Sequence, residues 1–397
     1  MNFLNSIAAR GAILSRRRWL AAAGLGTLVT ACGGGSSDDG VDALLERLQS
    51  QARKLVSQGV VGAATGWADS TRARGAVAGL RRLGGTAALE RGDVMAIGSN
   101  TKAMTACVAA SVVDQGLLRW DSTLAQTLPG LAREALPAYQ GVTLRQLLDH
   151  RAGVMAFNKP EDVAIFLGEV GTDVLTRLQE RAEVEDFFLQ WLLRQAPVRG
   201  TGADPDFAYS NAGYALAARM LRAATGQDWE DLLRQRVAQP LGISLFVGEP
   251  LRKGSDQPAG HALEGGQLQP QGLPGAPERV WLEILSPAGA VSLAARDDAL
   301  WLQWHLRALR GDATPLPRSY VQGLQDLTRA PANRYALGWI SHAMQGAGWL
   351  LHTGETGGFQ ALSLVAMDGS RAAFAHSNIA TEDSIALLYE SVSALLA

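Results

Sequence analysis

The sequence predicts an α/β protein of the α+β kind: an antiparallel sheet flanked by helices, with an all-helical subdomain inserted into it. Two observations lead there. Short strand-like runs bounded by Gly-rich turns occur early, within residues 60–97, and again late, within 335–377. Helical periodicity and loops dominate the stretch between, about 120–285. Strand runs thus stand on both sides of a helical middle, so distant segments are expected to share one sheet.

The first residues stand apart from that fold. Arg10, Arg16, Arg17 and Arg18 precede an apolar run of 13 residues, Trp19–Ala31, too short to span a bilayer and suited to a secretory leader. Ser15-Arg16-Arg17-Arg18-Trp19-Leu20 resembles a twin-arginine export signal. Val29-Thr30-Ala31-Cys32 resembles a bacterial lipoprotein box, with cleavage after residue 31 and lipid on Cys32. Residues 1–31 are therefore expected to be a signal peptide, and 32–40 (CGGGSSDDG from Cys32) a flexible tether. A cell-envelope, periplasm-facing protein held to the membrane by its lipid alone is the expectation.

The remainder, 41–397, divides into a sheet part (about 41–119 and 286–397) and a helical part (about 120–285). Val41, Leu44, Leu45, Leu48, Ala52, Leu55 and Val56 recur at helical spacing until Gly59. Runs 60–67, 76–80 and 93–97 read as strands, and a helix is expected over 99–115, closed by Gly116. Thr143 and Gln146 form a capping box. Helices follow over 173–193, 211–225 and 229–238, and the Pro/Gly-rich 250–280 reads as a long surface loop. Late strands are expected at 335–341, 348–353, 359–366 and 371–377, between helices 295–310 and 382–396. Trp281, Trp301, Trp304 and Trp339 are expected in the core.

Composition narrows the function. Hydrophobic residues are 47% and charged residues 19%, an ordinary globular balance. Loss of the leader removes four arginines and no acid, moving the formal charge from −2 to −6. With no basic run, nucleic acid is excluded as a partner. Cys107 becomes the one unmodified cysteine, so no internal disulfide forms. The six histidines lack metal-ligand spacing, and neither a metal nor another cofactor is expected. No G-x-S-x-G elbow occurs.

Lysine is the anomaly. Lys54, Lys102, Lys159 and Lys253 are the only lysines, against 32 arginines, and Lys102 alone follows a serine by three residues, in Gly98-Ser99-Asn100-Thr101-Lys102. Arginine stays protonated in proteins, whereas a buried lysine can lose its proton and act as a base. On a helix Ser99 and Lys102 share a face, and the helix N-terminus favours a developing oxyanion. A serine hydroxyl needs such a base to attack. Tyr209-Ser210-Asn211 precedes a helix and sets a phenol beside a carboxamide. Tyr209 could shuttle a proton, and Asn211 could bond a substrate amide and Lys102. His352-Thr353-Gly354-Glu355 ends a strand, where a glycine admits substrate backbone and a cation or donor at His352 would meet a substrate carboxylate or polarise Tyr209. Each motif alone also fits a capped helix or a hairpin turn. His150, after the helix of the capping box, is expected to cap or pack.

Together, in this order, the three motifs resemble the serine β-lactamase and penicillin-binding superfamily, nearest its class C β-lactamase and D-alanyl-D-alanine carboxypeptidase branch, which also holds carboxylesterases and D-aminopeptidases. Leu144–His150 with Gly153, Gly289-Ala290-Val291-Ser292 with Asp297, and Leu337-Gly338-Trp339 extend the likeness over roughly 41–395. The resemblance implies a β-lactamase/transpeptidase-like fold and acylation of Ser99. Lys102 and Tyr209 would share the proton handling and Asn211 would position substrate. Backbone N–H groups of Ser99 and Glu355 would form the oxyanion hole, and His352, Thr353 and Gly354 would shape the site. β-Lactamases carry lysine where His352 stands, so a fixed carboxylate anchor is not implied. The expected activity is that of a serine hydrolase on small ester, peptide or amide substrates, esterase or D,D-peptidase-like, ahead of a class C-like β-lactamase. A catalytically idle sensor or scaffold of the same fold is the alternative of another class.

Overall fold

The computed structural model describes residues 39–178, 180–200, 204–275, 279 and 282–397. The leader, Cys32 and Trp281 lie outside the described residues. Helix α1 (Asp39–Ser57) leads into a hairpin of β1 (Gly62–Ala68) and β2 (Ala73–Gly79). A short strand β3 (Met95–Ala96) and one 3-10 turn (Gly98–Asn100) then deliver the chain into α2 (Thr101–Asp114). The middle of the chain is mainly helical. It includes α3 (Leu144–Leu148), α4 (Arg181–Arg194) and α5 (Asn211–Thr225).

That middle also carries strands the sequence did not disclose. β4 (Leu245–Val247) pairs with a later strand, and β5 (His261–Glu264) with β6 (Gln267–Pro270) makes a hairpin where a surface loop was expected. Its turn is Gly265-Gly266, with φ of 58° and 80°, the positive values that a two-residue hairpin loop needs. The few apolar residues there hid the strands. The hairpin is instead pinned by His261, whose N–H donates to the Gly358 carbonyl at 3.0 Å and whose ring bridges Leu83 N–H and the Asn378 carbonyl.

The chain returns through α6 (Ser286–Gly289), β7 (Val291–Leu293), α7 (Ala295–Leu309) and α8 (Arg318–Thr328). The last strands are β8 (Tyr335–Ala336), β9 (Trp339–Met344), β10 (Ala347–Thr356), β11 (Phe359–Ala366) and β12 (Ala372–Ser377), before α9 (Glu382–Leu396). They join the first hairpin in a seven-stranded antiparallel sheet ordered β2-β1-β12-β11-β10-β9-β8. Ala63 opposite Ser377 joins the two ends of the chain. A small sheet, β3-β7-β4, sits beside it.

Period-two alternation explains why both sheet faces are covered. On β12, Ala373 and Ala375 point into the core under α1 and α9, while Ala372 and Phe374 point into the larger core with α2 and α5. Every position of β11 is buried, Gln360 and Ser363 included, so its apolar residues are not confined to alternate positions. Trp301 and Trp339 are buried in the larger core, and Trp304 packs half-buried against it.

Three local expectations shift. The helix expected from residue 99 begins at Thr101, after the 3-10 turn. The strand expected over 335–341 is broken by Leu337-Gly338, at φ of 50° and 85°. This turn is pressed against α2, because a Cβ on Gly338 would stand 2.3 Å from the Ala103 nitrogen. The helix expected over 173–193 is split into Val174–Arg177 and α4.

Candidate active site

Ser99 lies in the middle of the 3-10 turn, and that turn is wedged against the end of β10. Gly98 has φ of 51°, and a Cβ there would stand 2.4 Å from the Glu355 nitrogen. A Cβ on Gly354 would stand 2.0 Å from the Ile97 carbonyl oxygen. Glycine at both places lets the main chains of Ser99 and Glu355 approach closely.

α2 then carries Lys102 one turn on, with 0% of its surface exposed. Its Nζ is 3.0 Å from Ser99 Oγ, 2.7 Å from Asn211 Oδ1 and 2.8 Å from the Ala288 carbonyl oxygen. No carboxylate is among these partners, and burial drives the Lys102 pKa well below its ordinary value. The Tyr209 and Tyr214 rings, 4.8 and 5.4 Å from Nζ, favour the cation. That attraction reaches about 2 kcal/mol, against a penalty of several kcal/mol for a buried unpaired charge. Burial wins, and the amine is neutral. A neutral amine has two N–H bonds and one lone pair. Asn211 Oδ1 and the Ala288 carbonyl can only accept, so they take the two N–H bonds and leave the lone pair facing Ser99.

The carboxamide is oriented by its other end. Asn211 Nδ2 donates to the Phe157 carbonyl at 3.1 Å, which turns Oδ1 toward Lys102. Ser210, rather than Asn211, caps α5, accepting from Gly213 N–H at 2.9 Å. Tyr209 precedes it and donates its O–H to Ser99 Oγ at 2.8 Å. Burial pushes the Tyr209 phenol up, so it keeps its proton. Ser99, Lys102, Tyr209 and Asn211 are thus brought together as the spacing suggested.

His352 is placed differently from the expectation. It is 3% exposed, and its Nδ1 lies 2.6 Å from the Thr353 carbonyl, which can only accept. The proton therefore sits on Nδ1, and Nε2 accepts from the Tyr335 O–H at 3.3 Å. Burial lowers its pKa to about 3. His352 is neither a cation nor a free donor, which corrects the reading that it meets a substrate carboxylate or polarises Tyr209. Its ring still borders the cleft beside Ser99, with Thr353 and Gly354. The Glu355 side chain is exposed there, 3.4 Å from Gln360 Nε2.

Several contributors carried no sequence signal of their own. Tyr335 is one strand aromatic among many, yet its hydroxyl partners the His352 Nε2 lone pair that the Thr353 carbonyl leaves facing it. The Ala288 carbonyl is main chain and reveals nothing of itself. His150 packs, with φ of 58°, its Nδ1 accepting from Ser210 N–H at 3.1 Å and its ring 4.1 Å from that of Tyr209. Asp149 beside it accepts from Leu337 N–H at 3.0 Å, tying α3 to the turn against α2.

Three of the buried imidazoles make the fold sensitive to acid. Burial lowers His150 well below 6.5, His305 to about 4 and His352 to about 3. Below pH 6.5 the unfolded chain binds protons at these sites that the folded chain refuses. Stability should therefore fall as pH drops through that window, by up to about 4 kcal/mol per pH unit for three such groups. Urea midpoints at pH 7 and 5 measure the loss, and NMR should show all three rings untitrated between pH 8 and 5. An inflection of His352 near pH 6.5 would contradict its buried, neutral assignment.

A serine hydroxyl between a neutral amine and a phenol, on a helix start beside a sheet edge, defines a serine hydrolase of the serine β-lactamase and penicillin-binding superfamily. The comparisons agree: residues 41–392 match the family model described as Beta-lactamase, and the chain belongs to that family. It is 28% identical over 311 residues to penicillin-binding protein 4 of Amycolatopsis lactamdurans, across 74% of this chain and 75% of that protein. Its fold is similar to a class C β-lactamase from Rhodobacter sphaeroides, at a TM-score of 0.65 and 17% identity, covering 89% of this chain and 100% of that one. A D-amino acid amidase from Ochrobactrum anthropi SV3 is similar too, at a TM-score of 0.64 and 18% identity, with 89% and 100% covered.

Proposed function

We propose that this protein is an exported, lipid-anchored hydrolase of the periplasm that cleaves small ester or amide substrates through an acyl-Ser99 intermediate. The observation that carries the chemistry is the Lys102 lone pair facing Ser99 Oγ at 3.0 Å, with Tyr209 on the same oxygen at 2.8 Å. Lys102 takes the Ser99 proton as Oγ attacks the carbonyl carbon. The oxyanion is held by the Ser99 and Glu355 backbone N–H groups, whose main chains the two glycines bring together. As the acyl bond breaks, Tyr209 gives its proton to the departing oxygen or nitrogen, and the Lys102 ammonium restores it. Water then repeats the sequence on the acyl-enzyme. Export and anchoring rest on the arginine-led apolar leader and on Cys32 at its end.

Esterase or D,D-peptidase-like amidase activity is favoured over β-lactamase activity, because the place of the β-lactamase lysine holds a neutral His352. A fluorophosphonate probe followed by peptide mapping should place its adduct on Ser99 and nowhere in Ser99→Ala. A nitrophenyl ester, a D-Ala-D-Ala peptide and a chromogenic cephalosporin then rank the activities. A folded protein left unlabelled at Ser99 sinks the acyl-enzyme reading.

A further inference from the structure

The cleft at Ser99 has two lobes of different chemistry. One, of 390 Å³, is bordered by Tyr209, His352, Thr353 and Gln360. The other, of 800 Å³, is walled by Phe157, Val163, Leu251, Leu273, Leu282 and Leu285. Ser99, Asn158, Asn211 and Glu355 border both. In the larger lobe Val163, Leu273 and Leu282 are 43%, 47% and 50% exposed, large apolar side chains converging on one opening. Apolar surface gathered at a cleft marks a binding site, whereas scattered apolar residues do not.

The proton donor decides which half of a substrate enters which lobe. Tyr209 borders only the smaller one. The departing atom must be within its reach, so the leaving group occupies the smaller lobe and the acyl group the larger. In the smaller lobe Glu355 is the charged residue among the lining side chains, and no arginine or lysine stands with it. His352 is neutral there, and Lys102 behind Ser99 is neutral as well. Charged groups of the larger lobe are the exposed Lys159 and the carboxylates of Glu249 and Glu355. A carboxylate carried on the leaving group would be desolvated beside Glu355 with no cation to pair with.

We infer that the substrate joins a bulky apolar acyl group to a leaving group that carries no carboxylate and is neutral or cationic. The inference rests on the acyl-Ser99 reading and names the substrate class of that same site, narrowing it to esters and amides and setting aside D-Ala-D-Ala peptides, whose departing D-alanine carries a carboxylate. In the acylation step the bond from the acyl carbon to the leaving oxygen or nitrogen breaks and the bond to Ser99 Oγ forms. The leaving atom departs with the Tyr209 proton, and the Ser99 proton is held on Lys102.

Two series of aryl esters test it on the whole protein. With 4-nitrophenol constant, lengthening the acyl chain from acetyl to butanoyl to octanoyl should raise kcat/KM about two- to fourfold per methylene until the lobe is filled. With butanoyl constant, the ester of 3-hydroxybenzoate should react at least about tenfold more slowly than that of 3-hydroxyacetophenone. The ester of a 3-hydroxyphenyl trimethylammonium ion should match or exceed the neutral one. Glu355→Gln should narrow the gap between cation and anion, and Leu273→Ser with Leu282→Ser should flatten the chain-length series. Rates that are flat or falling with acyl length, or a carboxylate ester as good as the neutral one, overturn the inference. Ser99 would still take the fluorophosphonate in that case, leaving the hydrolase reading in place. Absence of both turnover and label overturns the two together.

Discussion

Lys102→Met should lose on the order of 10³-fold in kcat/KM, because it removes the base that takes the Ser99 proton. Methionine keeps an unbranched side chain of similar volume in a site with no exposed surface. Two pH signatures separate a base from a packing residue. In the parent, kcat/KM should rise with pH as Lys102 loses its proton, at a pH well below the ordinary 10.5. The residual activity of the variant should lack that rise. Stability should respond as well, with a definite sign. Between the depressed folded pKa and 10.5 the unfolded chain holds a proton on Lys102 that the folded chain does not, so the parent gains stability as pH rises. The variant lacks this gain. Losing the donor to Asn211 and the Ala288 carbonyl costs the variant the same at every pH. The difference in melting temperature, variant minus parent, should therefore be more positive at pH 7 than at pH 10. A difference independent of pH would mean that Lys102 is charged in the folded state.

Tyr209→Phe should lower kcat/KM by about 10²- to 10⁴-fold, the range for loss of a positioned proton donor. The ring keeps its place against His150, 4.1 Å away, so the hydroxyl alone is removed. The loss should depend on the leaving group. Nitrophenoxide departs without a proton, whereas an alkoxide or an amine does not. The variant should thus retain far more activity on a nitrophenyl ester than on an alkyl ester or an amide. Equal losses on all three would make Tyr209 a positioning residue for Ser99.

Much of the site was legible before folding was considered. The lysine after Ser99, the Tyr209–Asn211 pair and the Gly354 strand end each had a chemical reason to be noticed, and their order was specific where each alone was not. Elements with strong periodicity, such as α5 and α9, also emerged with the bounds expected. The hairpin β5–β6 escaped because a few polar residues held by His261 make no alternating pattern. Tyr335 and the Ala288 carbonyl escaped because aromatic packing and main-chain oxygens look the same wherever they occur.

By itself the sequence determined which side chains are available for acyl transfer and the alternation that builds one sheet from both chain ends. Tertiary structure alone decided their charge states and the shape of the cleft. Lys102 is neutral because burial takes its amine out of water and supplies no carboxylate, only the oxygens of Asn211, 109 positions away, and Ala288, 186 away. His352 is neutral because burial shuts its ring away from water, an effect that outweighs the Thr353 carbonyl, whose hydrogen bond favours the charged form. Protonation follows from excluded water and from neighbours supplied by other elements, and neither is written in local sequence.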